Sequence, residues 1–561
     1  MGARQAIARA QTLLSSFFMR TLPLVPSADS GVLADIEDKI NAFFEPFATW
    51  MSGWVFYAFS VGGIEIPIVV LWLVAAATII TIALGFVQFR SFGLAIQVVR
   101  GKFSRSDDPG EITHFQALSS ALSGTVGLGN IAGVGAAMAL GGAGATFWMI
   151  VCGLLGMATK FAECTMGVKY RTMNADGTFS GGPFKYMPVA FGRLFGKAPA
   201  MVLTGLFAIA IFGFGVGGGN MFQANQTFVQ AQEVTGGSDG FLGSDGAALI
   251  FGLVMAGLVG AVILGGITSI ASVTSKLVPF MGIMYVVACL FVILGNIDHV
   301  PGALSSIVEG AFTPQAGLGG LVGVLIVGFQ RAAFSNEAGL GSAPIAHSPV
   351  KTRRPVSEGF VALLEPFIDT VIVCTMTALT IIIADAPSFQ AGVDQVIAGD
   401  GAPDGVTLTS DAFETFLPWF PAVLAVAVAL FAFSTLITWS YYGEKAWEFF
   451  FGHTRNSLMI YKAIFCLFTV IGTVLTFGQV LTLTDAFLFL CGFINLAALY
   501  ILLPEIRREM KEYIADHRSG RLFELGAADE TELVAIREEH GNTDELPEME
   551  GTELRHEKPK D

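Results

Sequence analysis

Hydrophobic positions in this chain do not alternate with polar ones over most of its length; they continue in long blocks. Residues 65–88, 247–268, 277–296, 460–478 and 480–503 each form an apolar run of about 20 residues, the length at which a helix crosses a hydrocarbon core about 30 Å thick. Longer or interrupted apolar stretches lie at 114–135, 144–166, 198–232, 317–347, 358–384 and 415–442. Taken in chain order these predict eleven spans, numbered 1 to 11 below. A membrane β-barrel would instead show alternating segments of about 10 residues, and none is present. The stretch 10–19 is too short and too polar to span. Residues 1–60 are therefore expected outside the membrane, with an amphipathic or re-entrant helix near 34–58, and a cleavable signal peptide lacks a convincing cleavage site.

Composition agrees with that pattern. Of 561 residues, 53% are hydrophobic and only 14% charged, against about a quarter charged in soluble proteins. The six cysteines (Cys152, Cys164, Cys289, Cys374, Cys466 and Cys491) all fall in apolar stretches without CxxC spacing, and read as buried free thiols. The net charge of −15 owes much to residues 523–561, which hold 13 Asp/Glu against 4 Lys/Arg. This acidic stretch reads as a solvated appendage, not as evidence about a substrate.

Loop charges set the expected orientation, because Lys and Arg are retained on the cytoplasmic side. One set of loops carries 16 basic residues, from Arg90 through Lys169, Lys276 and Lys351 to Lys462, and the alternate loops at 236–246, 297–316, 385–413 and 479 carry none. The C-terminus is then cytoplasmic. An odd number of spans puts the N-terminus outside, in the plasma membrane (the inner membrane of a Gram-negative cell).

Two spans are apolar enough to be buried yet poor as helices. Span 2 has five glycines between 124 and 135, each costing about 1 kcal/mol relative to alanine in a helix. Span 7 carries Ser335, Asn336, Glu337, Gly339 and Gly341 in an apolar frame. Val-Gly-Leu-Gly-Asn (126–130) is echoed by Ala-Gly-Leu-Gly-Ser (338–342) five spans later. An odd repeat length forces the two copies into opposite orientations, the inverted-repeat plan of many secondary transporters, whose substrate sits where broken helices meet. The expected units are an external segment (1–60), an extra helix with a basic loop (61–112), two five-helix repeats (113–300 and 301–505) and a charged tail (506–561). Arg331 and Glu337 lie six residues apart in span 7 and can meet only if the helix breaks. Glu365 and Asp369, at i and i+4 in span 8, read as partners for Arg331 or Lys160, or else as a proton relay.

An unwound stretch exposes NH groups at one half-helix and carbonyls at the other. The NH end suits a carboxylate; the carbonyl end, joined by hydroxyls, suits a hard cation with oxygen ligands. A zwitterion with sodium fits both. No HExxH motif, Walker loop or paired nucleophile and base argues for an enzyme, and neither a bound cofactor nor a transition metal is expected. A proton-coupled carrier of another small solute, using Glu365 or Asp369, stays open, as does a channel or sensor that binds an amino acid without moving it.

These residues resemble the alanine or glycine:cation symporter family. The resemblance rests on Gly-Gly-Ala-Gly-Ala-Thr-Phe-Trp-Met (141–149), Gly-Gly-Pro-Phe-Lys-Tyr-Met (181–187), the block from Gly219 to Asn225, Phe334 to Ser342 and Ala432 to Lys445. It covers about residues 60–505 and implies sodium-coupled uptake of a small neutral amino acid. Val-Gly-Leu-Gly-Asn is also similar to the broken first helix of neurotransmitter:sodium symporters, implying a LeuT-type fold in spans 2–11 preceded by one extra helix. By that resemblance the backbone around Thr125, Gly127 and Gly129 would hold the substrate carboxylate. Asn130 and Gln223 would add polar contacts, and Phe334, Thr435 and Trp439 would shape a small pocket. Sodium would take the carbonyls of Ser123, Val126 and Phe431 and the hydroxyls of Ser434 and Thr435. The expected partners are alanine, glycine, sodium and the bilayer, with neither nucleic acid nor an obligatory protein partner.

Overall fold

The computed structural model describes residues 31–61, 64–105, 107–244, 246–312, 320–398, 405–474 and 478–522. The first thirty residues and the acidic stretch 523–561 lie outside the described residues. What is described is a helical membrane protein. Seven helices are long and apolar enough to cross a membrane, and the bent pair His114–Thr125 and Gly129–Gly141 makes an eighth span. Ile68–Ala83, Ala247–Ile263 and Leu321–Asn336 are shorter apolar helices. All eleven expected stretches coincide with helical segments, and among the described residues eight of them, with the bent pair taken as one, are long and apolar enough to span. Of the shorter three, span 1 ends in the turn Leu84–Phe86 and span 7 is interrupted after Asn336.

The amphipathic N-terminal helix is present as Gly31–Val55. Its exposed Phe43, Phe47, Trp50 and Trp54 recur at spacings of three and four and form one aromatic stripe. Such a stripe suits the headgroup region, where aromatic rings bury their bodies and keep polar edges wet. Two short antiparallel hairpins, Ala58–Val61 with Ile64–Pro67 and Thr172–Met173 with Phe179–Ser180, interrupt the expected all-helical plan. Lipid is the natural solvent for faces such as that of Gly266–Gly295, where Phe280, Ile283, Val287, Phe291 and Leu294 are exposed at helical spacing.

Both predicted breaks are real. Span 2 runs helical to Thr125, leaves the helix at Val126 (ψ 98°), resumes as a π-turn at Gly129–Gly133 and continues as Val134–Gly141, with a 55° bend. Span 7 runs helical to Asn336 and resumes only at Ala343–His347. Between them Glu337, Gly339 and Gly341 take positive φ (56°, 85° and 84°), a backbone region that glycine enters without the steric cost other residues bear. Two further π-turns, unexpected from the sequence, interrupt span 4 at Gly217–Met221 and span 8 at Phe367–Cys374. Such turns free main-chain groups inside an otherwise regular helix.

Close crossings depend on glycines. A Cβ on Gly144, at the start of span 3, would lie 2.2 Å from the carbonyl carbon of Gly310, whereas one on Gly282 in span 6 would meet nothing within 4 Å. Gly144→Val should therefore destabilise the fold by about 1–3 kcal/mol or more, while Gly282→Ala should leave it unchanged or slightly firmer. Thermal unfolding of the two purified variants in detergent checks the contrast.

Candidate functional site

The two breaks meet. Gly129 of span 2 lies against Ser335 of span 7, since a Cβ there would sit 3.5 Å from the Ser335 Cα. Asn130 ties them together: its Oδ1 accepts the Gly127 N–H at 2.8 Å, and its Nδ2 donates to Ser335 Oγ at 3.1 Å and Asp369 Oδ1 at 2.7 Å. The other oxygen of Asp369 accepts from Ser335 and Thr370 hydroxyls, both at 2.8 Å. A fully buried carboxylate therefore stands where the two breaks join, satisfied by neutral donors, and no basic side chain among the described residues forms a salt bridge with it. Asn130 is committed on both sides to protein groups and holds the break in shape. The Thr125 hydroxyl turns back to the carbonyls of Ala121 and Leu122, so of Thr125 only the backbone is left for a ligand.

The break in span 7 has its own fittings. Asn336 accepts the Ala338 N–H at 3.0 Å. Glu163 of span 3 accepts the N–H groups of Gly339 and Gly341 at 3.4 and 3.2 Å, and Asn495 of span 11 bridges Glu163 and the Gly339 carbonyl at 2.9 Å each. Glu337 accepts from the Ser342 hydroxyl. Glu163 and Asn495 escaped the sequence reading; a carboxylate and an amide within apolar spans was the available signal.

Arg331 and Glu337 do not pair, although the helix does break. Arg331 precedes the break and has Asp485 of span 11 as its electrostatic counterpart, whereas Glu337 turns inward toward Ser342 and Lys160. The break redirects Glu337 instead of bringing it back to Arg331. Glu365 takes the structural partner expected of it, Lys160, at 3.0 Å. Asp369 does not share that role.

Span 9 faces the first break. A Cβ on Gly127 would touch Thr435 Oγ1 at 3.0 Å, and one on Gly124 would meet Thr438 at 3.2 Å. Phe431, Ser434, Thr435 and Ser123 gather their oxygens: the hydroxyls of Ser434 and Thr435 donate to the Phe431 carbonyl at 2.8 and 3.0 Å and approach the Ser123 carbonyl at 3.4 and 3.1 Å. Val126, three residues on from Ser123, leaves the helical conformation (ψ 98°), so its carbonyl is turned out of the helical ladder. Rotating two hydroxyl protons outward would turn this cluster into an all-oxygen cage of the kind hard cations take.

Trp439, one turn beyond Thr435, is 1% exposed. It lies on glycines of span 4, with a Cβ on Gly219 falling 2.4 Å from its ring, and its ring centroid is 4.5 Å from Phe214 and 5.0 Å from Tyr442. Phe334 is half-buried and 6.5 Å from Phe214. Gln223 follows the π-turn of span 4; its Nε2 donates to the Gly218 carbonyl at 3.2 Å, and its buried Oε1 has no partner. Phe214 extends the set that the sequence named, and Asp369, expected as a charge partner or proton relay, stands instead at the junction of the breaks. Helix Gly405–Glu414 contributes too: it lies on the second half of span 2, and Thr409 donates to the Ile131 carbonyl at 3.0 Å.

A polytopic helical protein whose two interrupted spans converge on buried polar groups, with an oxygen cluster beside them, has the build of a membrane transporter. Its sequence matches the sodium:alanine symporter family over residues 54–525, and the chain belongs to that family. It is 36% identical to the sodium/alanine symporter AgcS of Methanococcus maripaludis, over 80% of this chain and 94% of that protein. The amino-acid carrier protein AlsT of Bacillus subtilis is 32% identical (82% and 93% covered), and the probable sodium/glutamine symporter GlnT of the same organism 32% (79% and 86%). The solved structure of MhsT in complex with L-phenylalanine aligns with 74% of this chain and 99% of that one, at 15% identity and a TM-score of 0.47, too low to carry weight. The protein is thus a multi-pass, cation-coupled amino-acid transporter and not an enzyme, and the cation is cargo, not a resident cofactor.

Asn130→Ala should leave the Gly127 N–H and one oxygen of Asp369 unsatisfied, at about 1–3 kcal/mol each. Ser335→Ala removes one donor from Asp369 and should cost less. Unfolding midpoints of the two variants, compared with the parent protein, test that order.

Proposed function

We propose that this chain carries a small neutral amino acid, alanine or glycine, into the cell together with sodium, by alternating access across the plasma membrane. The observation that carries the reading is the convergence of both breaks, through Asn130, Ser335 and Asp369, beside the oxygens of Ser123, Phe431, Ser434 and Thr435. In this reading the main chain at Thr125, Gly127 and Gly129 receives the substrate carboxylate. The unpartnered Oε1 of Gln223 accepts from the ammonium group, toward which Asp369 supplies negative charge. Sodium sits among the carbonyls of Ser123, Val126 and Phe431 and the two hydroxyls. Phe214, Phe334 and Trp439 wall the side-chain end, which favours small substrates. The strict alternation of basic and non-basic loops supports an external N-terminus and a cytoplasmic C-terminus, and the five-span separation of the breaks supports two inverted repeats of a LeuT-type core.

Uptake of labelled alanine and glycine by proteoliposomes tests this, with sodium replaced by choline in one arm and competitors of increasing side-chain size, through glutamine, in another. Sodium-dependent accumulation against the alanine gradient is expected, with competition fading as side chains grow. Uptake that persists in choline and follows a proton gradient would favour proton coupling instead.

Two variants separate the sites. Trp439→Ala should raise the alanine half-saturation about tenfold, equivalent to about 1.4 kcal/mol, without loss of membrane insertion. Joint replacement of Ser434 and Thr435 by Ala should raise the sodium half-saturation by a similar factor. An unchanged sodium requirement in the double variant would remove the ion from this place.

A further inference from the structure

Away from the alanine and sodium site lies a row of buried ionisable groups that transport as proposed does not use. His114, the first residue of the span 2 helix, meets Glu358 through Nδ1. The other oxygen of Glu358 meets Nδ1 of His347, whose Nε2 meets Glu365. The far oxygen of Glu365 pairs with Lys160 at 3.0 Å. The groups come from spans 2, 3 and 8 and from the residue that closes the short second half of span 7, and all five are at most 4% exposed. We infer that His114, Glu358, His347, Glu365 and Lys160 form a proton-binding relay, whose ligand is a proton exchanged with the basic-loop side and whose occupancy bears on the break in span 7.

Proton counting favours this over a static ion pair. Both ring nitrogens of His347 face carboxylate oxygens, and each such hydrogen bond needs one proton between its atoms. A neutral ring with two ionised carboxylates supplies one proton for two bonds. The trio therefore holds a further proton, shared as imidazolium or as one carboxylic acid, and imidazole can accept at one nitrogen while releasing from the other. A proton arriving at His114 Nε2, which has no hydrogen-bond partner among the described residues, displaces the one on Nδ1 to Glu358. With the extra proton resting on the Glu358 oxygen that faces His347, Glu358 passes that proton to His347 Nδ1, and His347 Nε2 gives its own to Glu365. His114, Glu358 and His347 each take one proton and give one, so the net change is a neutral Glu365 and a Lys160 freed from its ion pair.

The relay ends where a change in charge has consequences. Lys160 also feels Glu163 and Glu337, the two carboxylates that secure the break in span 7. Cys164 and Tyr442 face Glu365 as well, and Arg171 stands near Glu358 and Asp108 near His114. The rim is sealed by the Arg171 guanidinium, which donates to the carbonyls of Pro109, Ser348, Val350 and Thr352. Ligand atoms of Cys164, His347 and Glu365 lie within 4.8 Å of one another, but both nitrogens of His347 are already spent on carboxylates, which argues for a proton over a metal ion.

The test uses the full chain in proteoliposomes, measuring initial alanine uptake under a fixed sodium gradient while pH, equal on both sides, is varied. The parent rate should change about threefold or more over two pH units. Glu358→Gln and His114→Gln should flatten that profile and keep the sodium half-saturation. Variant profiles that superimpose on the parent's, or a parent profile that moves when a zinc chelator is added, would overturn the relay. If Glu358→Gln does not fold, His114→Gln at the rim decides. If the chain takes up no alanine at all, the sodium–alanine reading falls, and the relay is judged separately by the unfolding midpoint of purified protein against pH. A shared pH slope in parent and His114→Gln would then refute it.

Discussion

Everything in this protein follows from the absence of water around an unwound main chain. Inside hydrocarbon each free N–H or carbonyl costs several kcal/mol, so a span can break only where protein groups replace the lost helical bonds. Span 2 meets that condition with Asn130, which accepts from Gly127 and reaches across to Ser335 and Asp369. Span 7 meets it with Asn336, Glu163 and Asn495. These side chains are as much a part of the breaks as the glycines are.

The same condition explains why binding chemistry collects here. A break that is only just satisfied leaves directional main-chain groups at the ends of half-helices, ready for a carboxylate or a cation. Span 9 lies along the first break and presents, within nine residues, the carbonyl of Phe431, the hydroxyls of Ser434 and Thr435, and the ring of Trp439. One unbroken helix thus adjoins both the proposed ion position and the proposed substrate wall. The arrangement gives a physical route for coupling, because cation and amino acid would share the curved stretch from Ser123 to Asn130.

Much of this was legible in the sequence, for reasons that can be named. Apolar runs disclose helices in a membrane because nothing else satisfies the backbone there, and glycine-rich polar stretches disclose breaks because they oppose helix formation. The echo of 126–130 at 338–342 pointed to two such places. The span count was less legible, since apolar runs include turns such as Leu84–Phe86, and so were the π-turns of spans 4 and 8, which have no simple compositional signature. Pairings across the bundle were not legible at all. Arg331 and Glu337 sit six residues apart yet face Asp485 and Ser342 respectively, and the contact between His114 and Glu358 spans 244 positions along the chain. Spacing constrains partners within one helix, whereas partners between helices depend on packing that periodicity does not encode.

The most direct measurement is an experimental structure of the full chain in sodium and alanine at a resolution that places both. The account requires both interrupted spans, with alanine density against the main chain of Thr125–Gly129 and below Trp439, and a cation ringed by Ser123, Val126, Phe431, Ser434 and Thr435. A span 2 or span 7 wound continuously through the membrane, or alanine lodged away from the junction of the two, would contradict it.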